Sequence, residues 1–139
     1  MTYQKIMVPV DLSHLKTLEP ALKVAADLAK HYQGELCYVG VTPTAPGKVA
    51  KSPEEFAEKL EAFAQQQASQ HGLKTSTQVM TSSDPSAEMD KKLVEAVDVT
   101  GADLVVMATH LPRKLDILMP SNGGKVATHI DKSIFLVRV

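Results

Sequence analysis

The feature that most limits the fold of this chain is its alternation of short apolar runs with longer amphipathic segments. The runs at residues 6–10, 36–41 and 103–108 contain almost no polar alternation. Such runs are typical of strands buried on both faces, as in parallel sheets. Two further runs, at residues 75–80 and 133–139, predict a Thr- and Ser-rich strand at a sheet edge and a strand that closes the fold.

Apolar residues at three- and four-residue steps predict helices between these runs. The first is expected over residues 16–32, the second after the capping box Ser52-Pro53-Glu54-Glu55, and the third after Asp84-Pro85. Residues 121–129 predict a short fourth helix. Glycines mark the expected ends of the first three: Gly34, Gly72 and Gly101. The order βαβαβαβαβ predicts an α/β fold, an open five-stranded parallel sheet with helices on both faces.

Composition narrows the class of protein. A length of 139 residues predicts one domain, over residues 1–139. The formal charge of −1 argues against a nucleic-acid binder or a membrane-surface protein, and no apolar stretch reaches the ~18 residues of a membrane span. The single cysteine, Cys37, excludes an internal disulfide and a Cys-based zinc site, which favours a reducing, cytoplasmic location.

A ligand site is expected where the strand order of such a sheet reverses, outside the carboxyl ends of the strands. Asp11, Leu12 and Ser13 follow the first strand there, and Thr109 and His110 follow the fourth. Neither GxxxxGK[ST] nor GxGxxG follows the first strand, which excludes a P-loop and a Rossmann dinucleotide site. A phospho-acceptor receiver domain and a flavin carrier are disfavoured too, since the acidic cluster of the first and the aromatics of the second are lacking.

Four segments carry a resemblance that spans essentially the whole chain. They are Lys5-Ile6-Met7-Val8-Pro9-Val10-Asp11-Leu12-Ser13, Asp103-Leu104-Val105-Val106-Met107-Ala108-Thr109-His110, and Pro120-Ser121-Asn122-Gly123-Gly124-Lys125-Val126 with the later Ser133-Ile134-Phe135-Leu136-Val137-Arg138. In this order they resemble the universal stress protein family, and most closely its F- and G-type bacterial branch. The resemblance implies a Rossmann-like fold of the adenine nucleotide alpha hydrolase type, with strand order 3-2-1-4-5.

The resemblance also implies a small stress-response or regulatory module that binds ATP or AMP, with Mg²⁺ as a candidate companion ion. Asp11 would contact the adenine or ribose side, and Val10 and Val41 would flank the base. No residue is assigned a catalytic role, and slow ATP hydrolysis is the most activity expected. The full set of binding residues implied is Pro9, Val10, Asp11, Val41, Met107, Ala108, Thr109, His110, Ser121 and Asn122.

The family's phosphate-binding fingerprint, G-x-x-G followed nine residues later by Gly and Ser/Thr, is degenerate here. Ala108 and Leu111 occupy the glycine pair, and Pro120-Ser121 occupies the later Gly-Ser. Pro120 is the most damaging change because proline lacks an amide donor. A charge-assisted hydrogen bond contributes roughly 1.5–3 kcal/mol, about ten- to hundredfold in affinity. Free amides at the start of the fourth helix would offset part of this loss.

Two functions therefore remain open. One is weak adenine nucleotide binding at the carboxyl edge; the alternative is a nucleotide-independent, dimeric protein-interaction module whose ATP site is lost. Members of the resembled family pair through the last strand, so the resemblance implies a homodimer formed by the run from Ile134 to Val139. This run has little polar interruption and is expected at a sheet edge, where it would be a pairing template.

Overall fold

The computed structural model describes residues 2–109 and 122–139. Strands and helices alternate along the chain as the sequence predicts: β1 (Lys5–Pro9), α1 (Leu15–Tyr32), β2 (Glu35–Pro43), α2 (Pro53–His71), β3 (Thr75–Ser82), α3 (Pro85–Thr100), β4 (Leu104–Thr109), α4 (Asn122–His129) and β5 (Ser133–Arg138). The five strands form one sheet in the order β3-β2-β1-β4-β5. Every pairing is parallel. The predicted fold class and strand order are confirmed.

The sheet separates two apolar clusters, one on each face. The cluster beside α1 and α2 contains Ile6, Val8 and Val10 from β1, with the Tyr38 and Phe63 rings in edge-to-face contact at 5.1 Å. The cluster beside α3 and α4 contains Met7, Val105 and Met107, together with Val126 of α4. Successive strand residues point to opposite faces, so β1 and β4 are buried on both, as their unbroken apolar runs predict.

Helix α1 ends in a way that the sequence does not predict. The residue with left-handed backbone is Gln33 (φ 57°), and not Gly34. Gly34 instead lies against β1: a Cβ atom added there would be 2.5 Å from the Tyr3 carbonyl oxygen. Glycine is therefore needed at position 34 for close approach of two backbones, and the turn itself falls one residue earlier.

The other predicted helix boundaries hold. The Ser52 hydroxyl accepts the amide of Glu55 (3.1 Å) at the start of α2, and the Asp84 carboxylate accepts that of Ala87 (3.4 Å) at the start of α3. The second half of the capping box differs, because the Glu55 carboxylate accepts the amide of Lys51 and not that of Ser52. Gly72 and Gly101 end the two helices with positive φ.

The two edges of the sheet differ in chemistry. β3 is hydroxyl-rich and mostly half-buried, whereas β5 leaves Phe135 and Leu136 exposed by 44% and 37%. β2 runs to Pro43, two residues beyond its predicted end, because it stays paired with β3 as far as Ser82. The carboxyl ends of all five strands lie along one margin of the sheet, called the carboxyl edge below.

Candidate functional site

The reversal of strand order lies between β1 and β4 at the centre of the sheet. After β1 the chain continues into α1 on one face, and β4 precedes α4 on the other. Two neighbouring strands that lead to opposite faces leave a crevice between their carboxyl ends. Val10 extends β1 toward this crevice, since its amide donates to the Val39 carbonyl at 2.8 Å.

Asp11 is the first charged side chain beyond β1, and two neighbours hold it. Its Oδ1 accepts the Ser13 amide at 3.0 Å and the Ser13 hydroxyl at 2.6 Å. Its Oδ2 lies 2.9 Å from His14 Nδ1. A carboxylate only accepts hydrogen bonds, so Nδ1 carries the proton of this contact. Asp11 is thus fixed in a tight turn while 58% of its side chain stays exposed.

These contacts set the charge on Asp11. Partial burial raises its pKa, but the hydrogen bonds from Ser13 and His14 together outweigh burial and hold the pKa of Asp11 below its ordinary value. The group is therefore an anion at neutral pH, with both oxygens directed by the turn. A fixed, exposed carboxylate at a crevice is a ready acceptor for hydroxyl or amino groups of a ligand.

The other predicted binding residues divide by burial. Val10 and Met107 are 6% and 3% exposed and belong to the two core clusters. They therefore pack in the core beneath the carboxyl edge and offer little surface to a ligand. Val41 and Ala108 are half-buried. Thr109 is buried, and its carbonyl accepts the amide of Val139 (3.0 Å), which ties the end of β4 to the end of the chain. Pro9 is the last residue of β1, as predicted from its position.

Most residues predicted to bind the phosphates of the nucleotide lie outside the part of the chain that the structure describes. His110, Ser121 and the fingerprint positions Leu111 and Pro120 lie outside the described residues. Asn122 is the first residue of α4. The structure therefore brings together Pro9, Val10, Asp11, Met107, Ala108 and Thr109 at adjacent strand ends, with Val41 near the end of the next strand, β2.

Sequence reasoning does not identify Ser13 and His14 as the partners of Asp11. It places Ser13 at the crevice without a role, and it finds no metal-ligand spacing around His14. The signal is nevertheless local: hydroxyl and ring donors two and three residues after an aspartate are placed to satisfy its carboxylate in an Asx-type turn.

Two other kinds of site are not found within the described ranges. Among residues 2–109 and 122–139, no group of three or more His, Cys, Asp or Glu could hold a metal ion. No helix in this part of the chain is long and apolar enough to cross a membrane.

Comparison with known proteins agrees with this architecture. The model of the Universal stress protein family matches residues 2–138, and the chain belongs to that family. No curated protein gives a significant match.

Solved structures share the fold at low sequence identity. A universal stress protein in complex with cAMP is 19% identical, with a TM-score of 0.70 over 99% of this chain and 98% of the other. One from Archaeoglobus fulgidus in complex with dAMP is 20% identical, with a TM-score of 0.65 over 98% of each chain. One from Arabidopsis thaliana with AMP bound is 16% identical, with a TM-score of 0.65 over 97% and 91%.

Proposed function

We propose that this universal stress protein binds an adenine nucleotide, ATP or AMP, weakly at the carboxyl edge, and that it acts as a single regulatory domain through association and not through turnover. Family membership supports the proposal, as do relatives of the same fold that hold cAMP, dAMP and AMP. The observation that carries it is the exposed Asp11 carboxylate, fixed by Ser13 and His14 at the reversal of strand order.

The described residues fit the adenosine half of such a ligand. Asp11 offers carboxylate oxygens for ribose hydroxyls or the adenine amino group, and the half-buried Val41 and Ala108 offer small apolar surfaces for the base. When bound, the nucleotide would bring its phosphates and, for ATP, a Mg²⁺ ion. Among the described residues, Asp11 would orient the sugar or the adenine amino group, and Val41 and Ala108 would shelter one side of the base.

Thermal unfolding with and without millimolar ATP or AMP, each with and without Mg²⁺, tests the proposal. Ligand at about 100 times Kd adds ~2.7 kcal/mol to the free energy of unfolding, which should raise Tm by several degrees. Asp11→Asn should reduce this ligand-induced increase, whereas Asp27→Asn, an exposed aspartate on α1 paired with Lys23, should leave it intact. No increase for the wild type with any ligand would contradict the proposal.

The alternative function is a nucleotide-independent interaction module that works as a dimer. The exposed Phe135 and Leu136 on β5 favour it, because an apolar edge strand is a template for pairing with a second chain. The two functions separate in the same experiment: an interaction module that has lost its ATP site gives no ligand-induced change in Tm and keeps its dimer.

The proposal also places the protein in the reducing cytoplasm. In support, its single cysteine, Cys37, is a free thiol at 2% exposure inside β2. Burial raises the pKa of this thiol. Such a thiol is protonated and inert, which suits a structural role and no redox function.

A further inference from the structure

A cavity lies beside the turn that follows β1, on the face of the sheet covered by α1 and α2. It is a surface groove of about 480 Å³ between the start of α1, residues 48–49 before α2, and α2 itself. Pockets that hold small molecules measure about 300–1,000 Å³. Eight side chains line it: Leu12, Leu15, Lys48, Val49, Lys59, Ala62, Phe63 and Gln66. We call it the α1–α2 groove.

The floor of the α1–α2 groove is apolar and continuous with the core. Leu12, Leu15 and Val49 pack against the α1/α2 cluster, to which Phe63 belongs. Phe63 is 8% exposed, and its ring rests edge-on against the buried ring of Tyr38. Since Phe63 is held from behind, the floor is a fixed surface and not a loose side chain.

One wall of the groove is fastened by a lysine. The Lys59 ammonium donates to the Val49 carbonyl and lies 3.4 Å from Glu55 Oε1, which joins residues 48–49 to α2. The Gly47 amide donates to the Ala50 carbonyl (2.9 Å) and tightens the same turn. These contacts hold residues 48–49 against α2 before any ligand binds, and a wall that is already ordered lowers the entropic cost of binding.

The charge of the groove is one-sided. Its described lining contains two lysines and no acidic side chain. Lys59 is engaged by Glu55, whereas Lys48 forms no ion pair within the described part of the chain. A fixed apolar floor with an unpaired ammonium at its rim is complementary to a molecule that has an apolar body and one negative group.

We infer that the α1–α2 groove is a binding site for a small amphipathic organic anion, a carboxylate, sulfonate or phosphate on an aromatic or aliphatic body. Phe63, Leu12 and Leu15 contact the body, and Lys48 pairs with the anionic group. None of the predicted nucleotide-binding residues lines the groove, so the inference does not depend on the proposed function.

Titration of the full chain with 8-anilinonaphthalene-1-sulfonate, followed by fluorescence and by ¹⁵N backbone chemical shifts, tests this inference. N-phenyl-1-naphthylamine has the same rings without the sulfonate and serves as the uncharged control probe. The sulfonate should bind saturably, perturb residues 12–15, 48–50 and 59–66, and weaken as ionic strength rises. The uncharged probe should bind more weakly.

Two substitutions with matched controls locate the site. Lys48→Gln should weaken sulfonate binding about two- to fivefold, whereas Lys51→Gln, an exposed lysine of the same loop that does not line the groove, should not. Ala62→Trp should fill the groove and abolish saturable binding, whereas Ser69→Trp, a small exposed residue on the same helix that does not line the groove, should not. All four positions are exposed, so the variants should fold.

Binding that survives both Lys48→Gln and Ala62→Trp would overturn the inference, as would chemical shift changes confined to β5 or to the carboxyl edge. Displacement of the sulfonate by saturating ATP would also overturn it, because it would place the probe in the nucleotide site. Retention of the probe in the presence of ATP supports two separate sites, and a protein that binds the probe but no nucleotide refutes only the proposed function.

Discussion

Asp11 illustrates how a single residue acquires its properties from the turn around it. An aspartate after a buried strand is often a helix cap, yet here it accepts hydrogen bonds from Ser13 and His14 within its own turn, and α1 begins at Leu15 without a side-chain cap. The sequence predicted that Asp11 follows the first strand at the crevice, since strand ends follow from the apolar pattern. It did not predict the partners of Asp11, because their hydrogen bonds depend on backbone angles that a pattern of polar letters does not specify.

The low pKa of Asp11 predicts a pH-dependent contribution to stability. A carboxylate whose pKa is lowered by folding stabilises the native state above its unfolded pKa, about 3.9, and this stabilisation is lost as pH falls through the folded value. Asp11→Asn should therefore reduce the free energy of unfolding at pH 7 by up to about 1 kcal/mol, a figure discounted for exposure. Urea denaturation at pH 7 and pH 3 measures this, and the difference from wild type should shrink at pH 3. An equal difference at both pH values would show that the loss is not electrostatic.

Gly40 provides a second prediction at this scale. A Cβ atom at position 40 would lie 2.5 Å from Cε1 of Phe56, whose ring is 5% exposed within the core and cannot move freely. Gly40→Ala should lower the free energy of unfolding by about 1–3 kcal/mol. Gly47→Ala is the control, because its added Cβ meets Pro43 Cγ at 3.6 Å, an ordinary contact, and should change stability by no more than about 0.5 kcal/mol. Chemical denaturation of both variants measures their free energies of unfolding. Equal values for Gly40→Ala and Gly47→Ala would refute the steric explanation.

At the scale of elements, sequence patterns identified each strand and helix that the structure describes, and placed β3 and β5 correctly at the edges. Their success has a physical basis, since strands covered on both faces must be continuously apolar, and polar caps mark the starts of α2 and α3. The sequence patterns misplace the end of an element where contacts with a neighbouring strand determine that end. β2 continues to Pro43 because β3 offers partners, and α1 turns at Gln33 because Gly34 is needed beside Tyr3.

The hydrogen bond at the start of α2 allows the contribution of one hydroxyl group to the free energy of unfolding to be predicted. Ser52 Oγ is the acceptor for the Glu55 amide, one of the unpaired donors at the first turn. Ser52→Ala should destabilise the protein by about 1 kcal/mol, and Ser52→Thr, which keeps the oxygen, should restore most of the loss. Differential scanning calorimetry of the two variants measures the effect. If threonine were as destabilising as alanine, loss of the hydrogen bond would not be the cause.

For the whole molecule, the apolar edge predicts self-association through β5. Phe135→Glu should convert a dimer into a monomer in sedimentation velocity, because a charge would be buried without a partner. Phe135 is a better position for this test than Val137, which packs partly against the α1/α2 cluster. Val99→Glu is the control, since Val99 is 58% exposed on α3, away from the edge. A monomeric wild type, or a dimer that persists in both Phe135→Glu and Leu136→Glu, would refute pairing through this strand.

The unequal edges of the sheet also determine how an assembly of this protein would stop growing. If two copies pair symmetrically through β5, the apolar edge strand of each is covered by the other. The β3 strands then form the two outer edges of the dimer. The outer strands are rich in Thr and Ser, with the sequence Thr75-Ser76-Thr77-Gln78-Val79-Met80-Thr81-Ser82, so they offer little apolar surface to a third copy. Such a contact is closed, and open-ended contacts are the ones that build fibres. If copies of this protein pair through β5, this asymmetry would therefore favour discrete pairs over filaments.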